Sequence, residues 1–207
     1  MLRISKIRAY FIFIISLIVL IGCATYKPFM APGFSGSKLT EGGVAVFPVL
    51  VGEGSTSVPG IESYLRGAGE ELANSLRKSQ PSLKVVGPTE VSAALAKSGL
   101  VDDFAKLKQT FQMTGMLDSE SAKKIVEPLQ IKYFMLSSIN SLFAKDKSTA
   151  GAQMSAKIFD SAEGQMVFET LGSGEEISIF GGPPYEKAVK KATQSISRNL
   201  MFVYKQK

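Results

Sequence analysis

Few side chains in this chain could do chemistry, and their spacing narrows the options further. Cys23 is the only cysteine in 207 residues, and there is no histidine. Without histidine there is no histidine-based triad and no His-ligated zinc site. A single thiol cannot close an internal disulfide, even in an oxidising compartment. Adjacent acids occur at Glu70/Glu71, Asp102/Asp103 and Glu175/Glu176. Neighbours on a helix or strand point different ways, so these are read as solvated charge and not as acid–base dyads. Ser35, in Gly33-Phe34-Ser35-Gly36-Ser37, misses the nucleophile-elbow pattern by one position and has no histidine to activate it. The Gly52, Gly54 and Gly60 stretch follows a strand pattern and precedes a helix, where phosphate loops occur. It carries Ser57 where a dinucleotide fingerprint needs glycine, and it lacks a Gly-Lys-Ser/Thr ending. It is read as a flexible connection. No catalytic residue, no metal ligand and no cofactor is assigned.

That leaves the thiol of Cys23. Arg3, Lys6 and Arg8 precede it with no acid among them, and residues 9–22 form an apolar run of 14. A basic lead and a short apolar segment are the layout of a secretory signal peptide. The run is shorter than the roughly 18–20 residues a membrane-spanning helix needs. It ends in Leu20-Ile21-Gly22-Cys23, which resembles the bacterial lipobox. There, Leu20, Ile21 and Gly22 are what the signal peptidase reads, and the cysteine thiolate takes a diacylglycerol group. The alternative is an uncleaved anchor with a buried, inert cysteine.

Cleavage before Cys23 removes three basic residues and lowers the formal charge from +6 to +3. That is too little to argue for nucleic acid as a partner. Forty-five per cent hydrophobic content suits a globular chain. Residues 23–42 carry Pro28, Pro32, Gly33 and Gly36 with no period. They are expected to form the lipidated N-terminus and a flexible tether with a reach of about 25 Å. Phe29, Met30 and Phe34 make it sticky enough to lie on the domain or on lipid. One domain is then expected over 43–207.

Within it the pattern predicts a strand over 43–50, ending its ladder near Pro48. A helix over 61–79 is expected to face the core with Leu65, Ala68, Leu72 and Leu76. A short strand at 83–86 and helices at 89–97, 101–111 and from an Asp118 cap follow. A strand at 131–139 precedes a hairpin of 151–160 with 165–171, turned at Gly164. Short strand character is possible at 177–180. A last helix over 184–204 carries the stripe Tyr185, Val189, Ala192, Ile196, Leu200 and Val203. The order predicts an α/β (α+β) domain: a mixed sheet of about four to five strands with helices packed against it, and a C-terminal β-hairpin followed by a long helix.

Four features together resemble a group of exported bacterial proteins. They are the lipobox, Val44-Ala45-Val46-Phe47-Pro48, the long helix leading to Leu83-Lys84-Val85-Val86-Gly87-Pro88-Thr89-Glu90-Val91, and the phrase from Ile158 through Gly164 to Phe168. The group comprises the amino-terminal domain of the Tol translocation protein, the curli-secretion lipoprotein and lipoprotein activators of penicillin-binding proteins. The resemblance implies a small α/β domain for envelope assembly or regulation, with an envelope protein as partner and no catalysis of its own. Ala24 after the cysteine, where inner-membrane lipoproteins commonly carry Asp, implies the outer membrane, facing the periplasm. The channel segments of the curli protein would need two further long hairpins, which the sequence pattern does not show.

One charge cluster stands out. Lys187, Lys190, Lys191 and Arg198 lie off the apolar stripe of the last helix. They are either an ordinary solvated face or a contact for an anionic surface, lipid headgroups or an acidic partner. Two further readings of the whole chain stay open, a carrier of a small apolar ligand and a cell-wall-active enzyme using carboxylates or a serine.

Overall fold

The computed structural model describes residues 27–54, 58, 60–179 and 182–205. The expected lipidation site Cys23 and its recognition residues Leu20, Ile21 and Gly22 lie outside the described residues, as do Ser57 and Phe180.

The centre of the fold is three long strands, β5 (Tyr133–Ala144), β6 (Thr149–Asp160) and β7 (Met166–Ile177), joined as an antiparallel meander. The first half of β5 is buried on both faces and its second half on one, which is why its sequence begins as a continuous apolar run and then turns polar. Gly164 closes the β6–β7 turn with φ of 66°, a left-handed conformation that glycine adopts without steric cost.

Before β5 come β1 (Phe29–Met30), β2 (Val44–Val46), β3 (Leu50–Gly54) and β4 (Val85–Val86). The sheet order is β1-β7-β6-β5-β2-β4, with β3 also pairing β5. The mixed sheet and the flanking helices are as the sequence pattern predicts, but there are seven strands and not four or five. Two short strands account for the difference. Pro48, which has no amide hydrogen, interrupts the predicted first strand after Val46. The chain then returns to β5 as β3, with Leu50 opposite Ser138.

The other added strand, β1, corrects the tether. From Phe29 onward the chain is packed. Phe29 and Met30 pair with Glu169 and Phe168 of β7. A short helix, α1 (Gly36–Gly42), follows, with Ser35 at its N-cap. Leu39 is fully buried, and the Phe34 ring sits 5.4 Å from that of Tyr133. A seven-residue helix spans barely two turns, too few to display a helical period.

The remaining helices are α2 (Ile61–Ser79), α3 (Pro88–Lys97), α4 (Val101–Thr114), α5 (Ser119–Val126) and α6 (Tyr185–Met201). On one face of the sheet α2 and α6 bury Leu72, Leu76, Ile196 and Leu200 against Met135, Met154 and Ile158. On the other face α3, α4 and α5 cover an aromatic cluster in which Phe134 stacks on Phe159 at 5.4 Å and meets Phe47 at 5.7 Å. Gly172 and Gly174 of β7 let α6 lie directly on the strand. A Cβ on either would run into the helix backbone at the carbonyls of Ala192 and Ala188.

Candidate functional site

The four basic residues singled out in the sequence are all exposed on α6, but the neighbouring elements treat them differently. Lys191 is engaged: its Nζ lies 2.5 Å from Glu176 Oε2 and donates to the backbone carbonyl of Glu175 at 3.0 Å. The hydrogen bond from Lys191 holds the Glu176 carboxyl below its ordinary range. Lys187 adds to that field from further off. Lys190 lines a groove of about 340 Å³ between α2 and α6, together with Glu71 and Glu186. A helix-only reading counts four free cations, because it cannot see the Glu176 carboxylate that β7 supplies to Lys191.

Arg198 has no ion-pair or hydrogen-bond partner for its side chain among the described residues, and it shares a groove with an unpaired cation that the sequence does not single out. Lys78, in the last turn of α2, lines with it an open groove of about 570 Å³. Ser75 and Ser79 of α2 and Gln194 and Ser197 of α6 complete that flank. Ser197 is only 4 % exposed, and its hydroxyl has no hydrogen-bond partner among the described residues. The groove runs on to Ser173, Gly174 and Glu175 of β7 and to Lys191. Nothing in the sequence pairs Lys78 with Arg198, which are 120 positions apart and come to one groove only through helix packing.

The adjacent acids do not form dyads. Glu70 accepts from the Thr89 amide at 3.0 Å and the Thr89 hydroxyl at 2.6 Å, so it caps α3. Glu90 closes the same helix start by accepting from the Gly87 amide at 2.6 Å and pairs with Arg77 at 2.7 Å. Asp103 pairs with Lys124 at 2.9 Å, and Glu175 with Lys145 at 3.5 Å. Ser35 is a helix cap. Glu71 and Glu186 do share a groove, beside Lys190. The grooves among the described residues are open to solvent, and each carries charged or polar side chains beside its apolar ones, whereas an apolar carrier would need an enclosed apolar cavity.

The open sheet face and the end of α4 form a groove of about 690 Å³. Beyond Leu136 the α3–α5 layer stops, and Ser138, Asn140 and Ser155 hydrogen-bond to one another at 2.7–3.2 Å on the uncovered strands.

No family model matches the chain, and no curated protein matches it by sequence. Solved structures do match. The PelC dodecamer from Paraburkholderia phytofirmans superposes with a TM-score of 0.52 over 87 % of this chain and 97 % of that one, at 14 % identity. The chain shares the fold of PelC. The LpoB C-terminal domain from Escherichia coli matches with a TM-score of 0.42 at 14 % identity, covering 69 % of this chain and 86 % of that one. Lipoprotein GNA1162 from Neisseria meningitidis matches at 0.38 and 17 %, covering 68 % and 86 %. At this identity the PelC likeness is one of fold, and it agrees with the small α/β domain that the sequence resemblance implies.

Proposed function

We propose that the chain is a lipid-anchored lipoprotein of the bacterial envelope whose α/β domain is a non-catalytic protein-binding, assembly or regulatory module. The observation that carries this reading is the junction of Leu20-Ile21-Gly22-Cys23 with a PelC-like domain whose packing starts at Phe29. Only residues 24–28 lie between the acylated cysteine and β1. The Cα of Cys23 is therefore within about 20 Å of the sheet edge, and the domain is held against its membrane. Ala24 favours the outer membrane, with the domain facing the periplasm. The use of Glu70, Glu90, Asp103 and Glu175 in caps and ion pairs supports a role without catalysis. No metal or cofactor is assigned to it.

The partner is an envelope protein. PelC is a dodecamer, so further copies of this chain are the first partner to test. Cross-linking in intact envelopes, followed by capture of the chain, is the experiment. Cross-links to copies of itself or to a second envelope protein are expected from wild-type protein and are lost in Cys23→Ser. Equal cross-linking by Cys23→Ser would contradict a role that depends on the anchor.

A further inference from the structure

We infer that the groove between α2 and α6 binds the phosphate-bearing headgroup of an anionic lipid, in the membrane that holds the anchor. The choice of a lipid as the source of the phosphate rests on the lipidation reading above; the site itself does not.

Three observations define the chemistry. Lys78 and Arg198 come from different helices, face one groove and have no counter-ion among the described residues. Lysine supplies a point charge and arginine a planar fork, a pair of donors suited to a phosphate group. Second, the Ser197 hydroxyl is buried at the groove with no partner among the described residues. An unpaired buried hydroxyl is unfavourable, and a ligand oxygen that it can meet removes the penalty. Third, Ser75, Ser79 and Gln194 add neutral donors beside the two cations. A cationic ligand would be repelled by this set, and an apolar one would leave every polar group unmatched. The acids nearby do not cancel it. Glu176 is taken by Lys191, and Glu175 by Lys145. The β7 side of the groove is thereby neutral, and the positive field is concentrated at Lys78 and Arg198.

Geometry supplies the source. Phe29 pairs with Glu169, and the groove reaches β7 at Ser173 and Glu175. That is four to six strand residues further on, or about 13–20 Å. Cys23 is tied within about 20 Å of Phe29. A bilayer holding the acyl chains therefore lies within reach of the groove.

The test uses a lipid-free chain of residues 24–207, which retains every described element. It is sedimented with vesicles of phosphatidylglycerol in phosphatidylcholine, and with phosphatidylcholine alone. Binding is expected only with phosphatidylglycerol, and it falls as salt rises. A basic residue near an anionic surface contributes about 1 kcal/mol, or roughly fivefold in affinity. Lys78→Gln and Arg198→Gln should each weaken binding about fivefold, and the double variant about 25-fold. Lys123→Gln, on α5 across the sheet, should bind as wild type. Ser197→Ala should weaken binding without lowering Tm.

Wild-type binding by the Lys78→Gln, Arg198→Gln double variant overturns the site. So does an equal loss in Lys123→Gln, which would show a diffuse charge effect. Binding of soluble glycerol phosphate with no binding to vesicles overturns the lipid source. Lipidation is judged separately, by the mass of the N-terminal residue. An unmodified Cys23 with the groove variants behaving as expected would remove the anchor and leave the headgroup site.

Discussion

Lys191 Nζ lies 2.5 Å from Glu176 Oε2 and ties the last helix to β7. The pair decides which of the basic residues on α6 are available to a partner. The folded carboxyl of Glu176 is held below its ordinary range, so its contribution to stability is present above the unfolded carboxylate pKa. It is lost as pH falls through the lower, folded value. Lys191→Gln should lower Tm slightly at neutral pH, and the difference from wild type should close as pH falls below the ordinary carboxylate range. Thermal melts across a pH series read this directly. A difference that grows on acidification would contradict the pairing.

Leu200 is fully buried between α6 and the sheet. Truncating a buried leucine costs about 2–5 kcal/mol. At roughly 2–4 °C per kcal/mol for a domain of this size, Leu200→Ala should lower Tm by about 4–20 °C. A shift within 1 °C would mean that α6 is not seated as described.

The β7–α6 contact is equally testable. Gly172→Val places side-chain atoms where the Ala192 carbonyl lies, and overpacking of this kind costs about 1–3 kcal/mol or more. Gly67, in the middle of α2, has nothing within 4 Å of its would-be Cβ. Gly67→Ala should stabilise by about 0.5–1 kcal/mol, the ordinary helix-interior difference. Chemical denaturation of the two variants gives opposite signs if the helix–strand contact is right.

A chain beginning at Gly43 lacks β1 and α1. It loses the burial of Phe34 and Leu39, about 1.5–3 kcal/mol each, and it uncovers the β7 edge. It should melt well below a chain beginning at Ala24 and should aggregate more readily. Identical melts would restore the view of 29–42 as a tether.

That last comparison marks where sequence reading stopped. Long elements declared themselves: α2 was expected at 61–79 and spans Ile61–Ser79, and the stripe from Val189 to Leu200 is buried as its spacing predicted. Local stereochemistry was also legible. Asp118 caps α5 through the Ser121 amide, and Gly164 takes a positive φ. β1 and α1 were not legible, because two paired residues and two helical turns carry no period, and Pro32 and Gly33 mask them. The second halves of β5 and β7 were underestimated for a different reason. They face solvent on one side, so their serines and glycines resemble a loop. The candidate groove was half legible. Arg198 stands out on α6 alone, whereas Lys78 shares its groove, and Lys191 is neutralised by Glu176, only through contacts between elements distant in sequence.

The most direct measurement is the intact mass and N-terminal peptide mass of protein purified from membranes. The account predicts a chain that begins at Cys23, with that residue carrying diacylglycerol and no free thiol. An intact Met1, or an unmodified Cys23 thiol in membrane-derived protein, would contradict the anchor on which the proposed function rests.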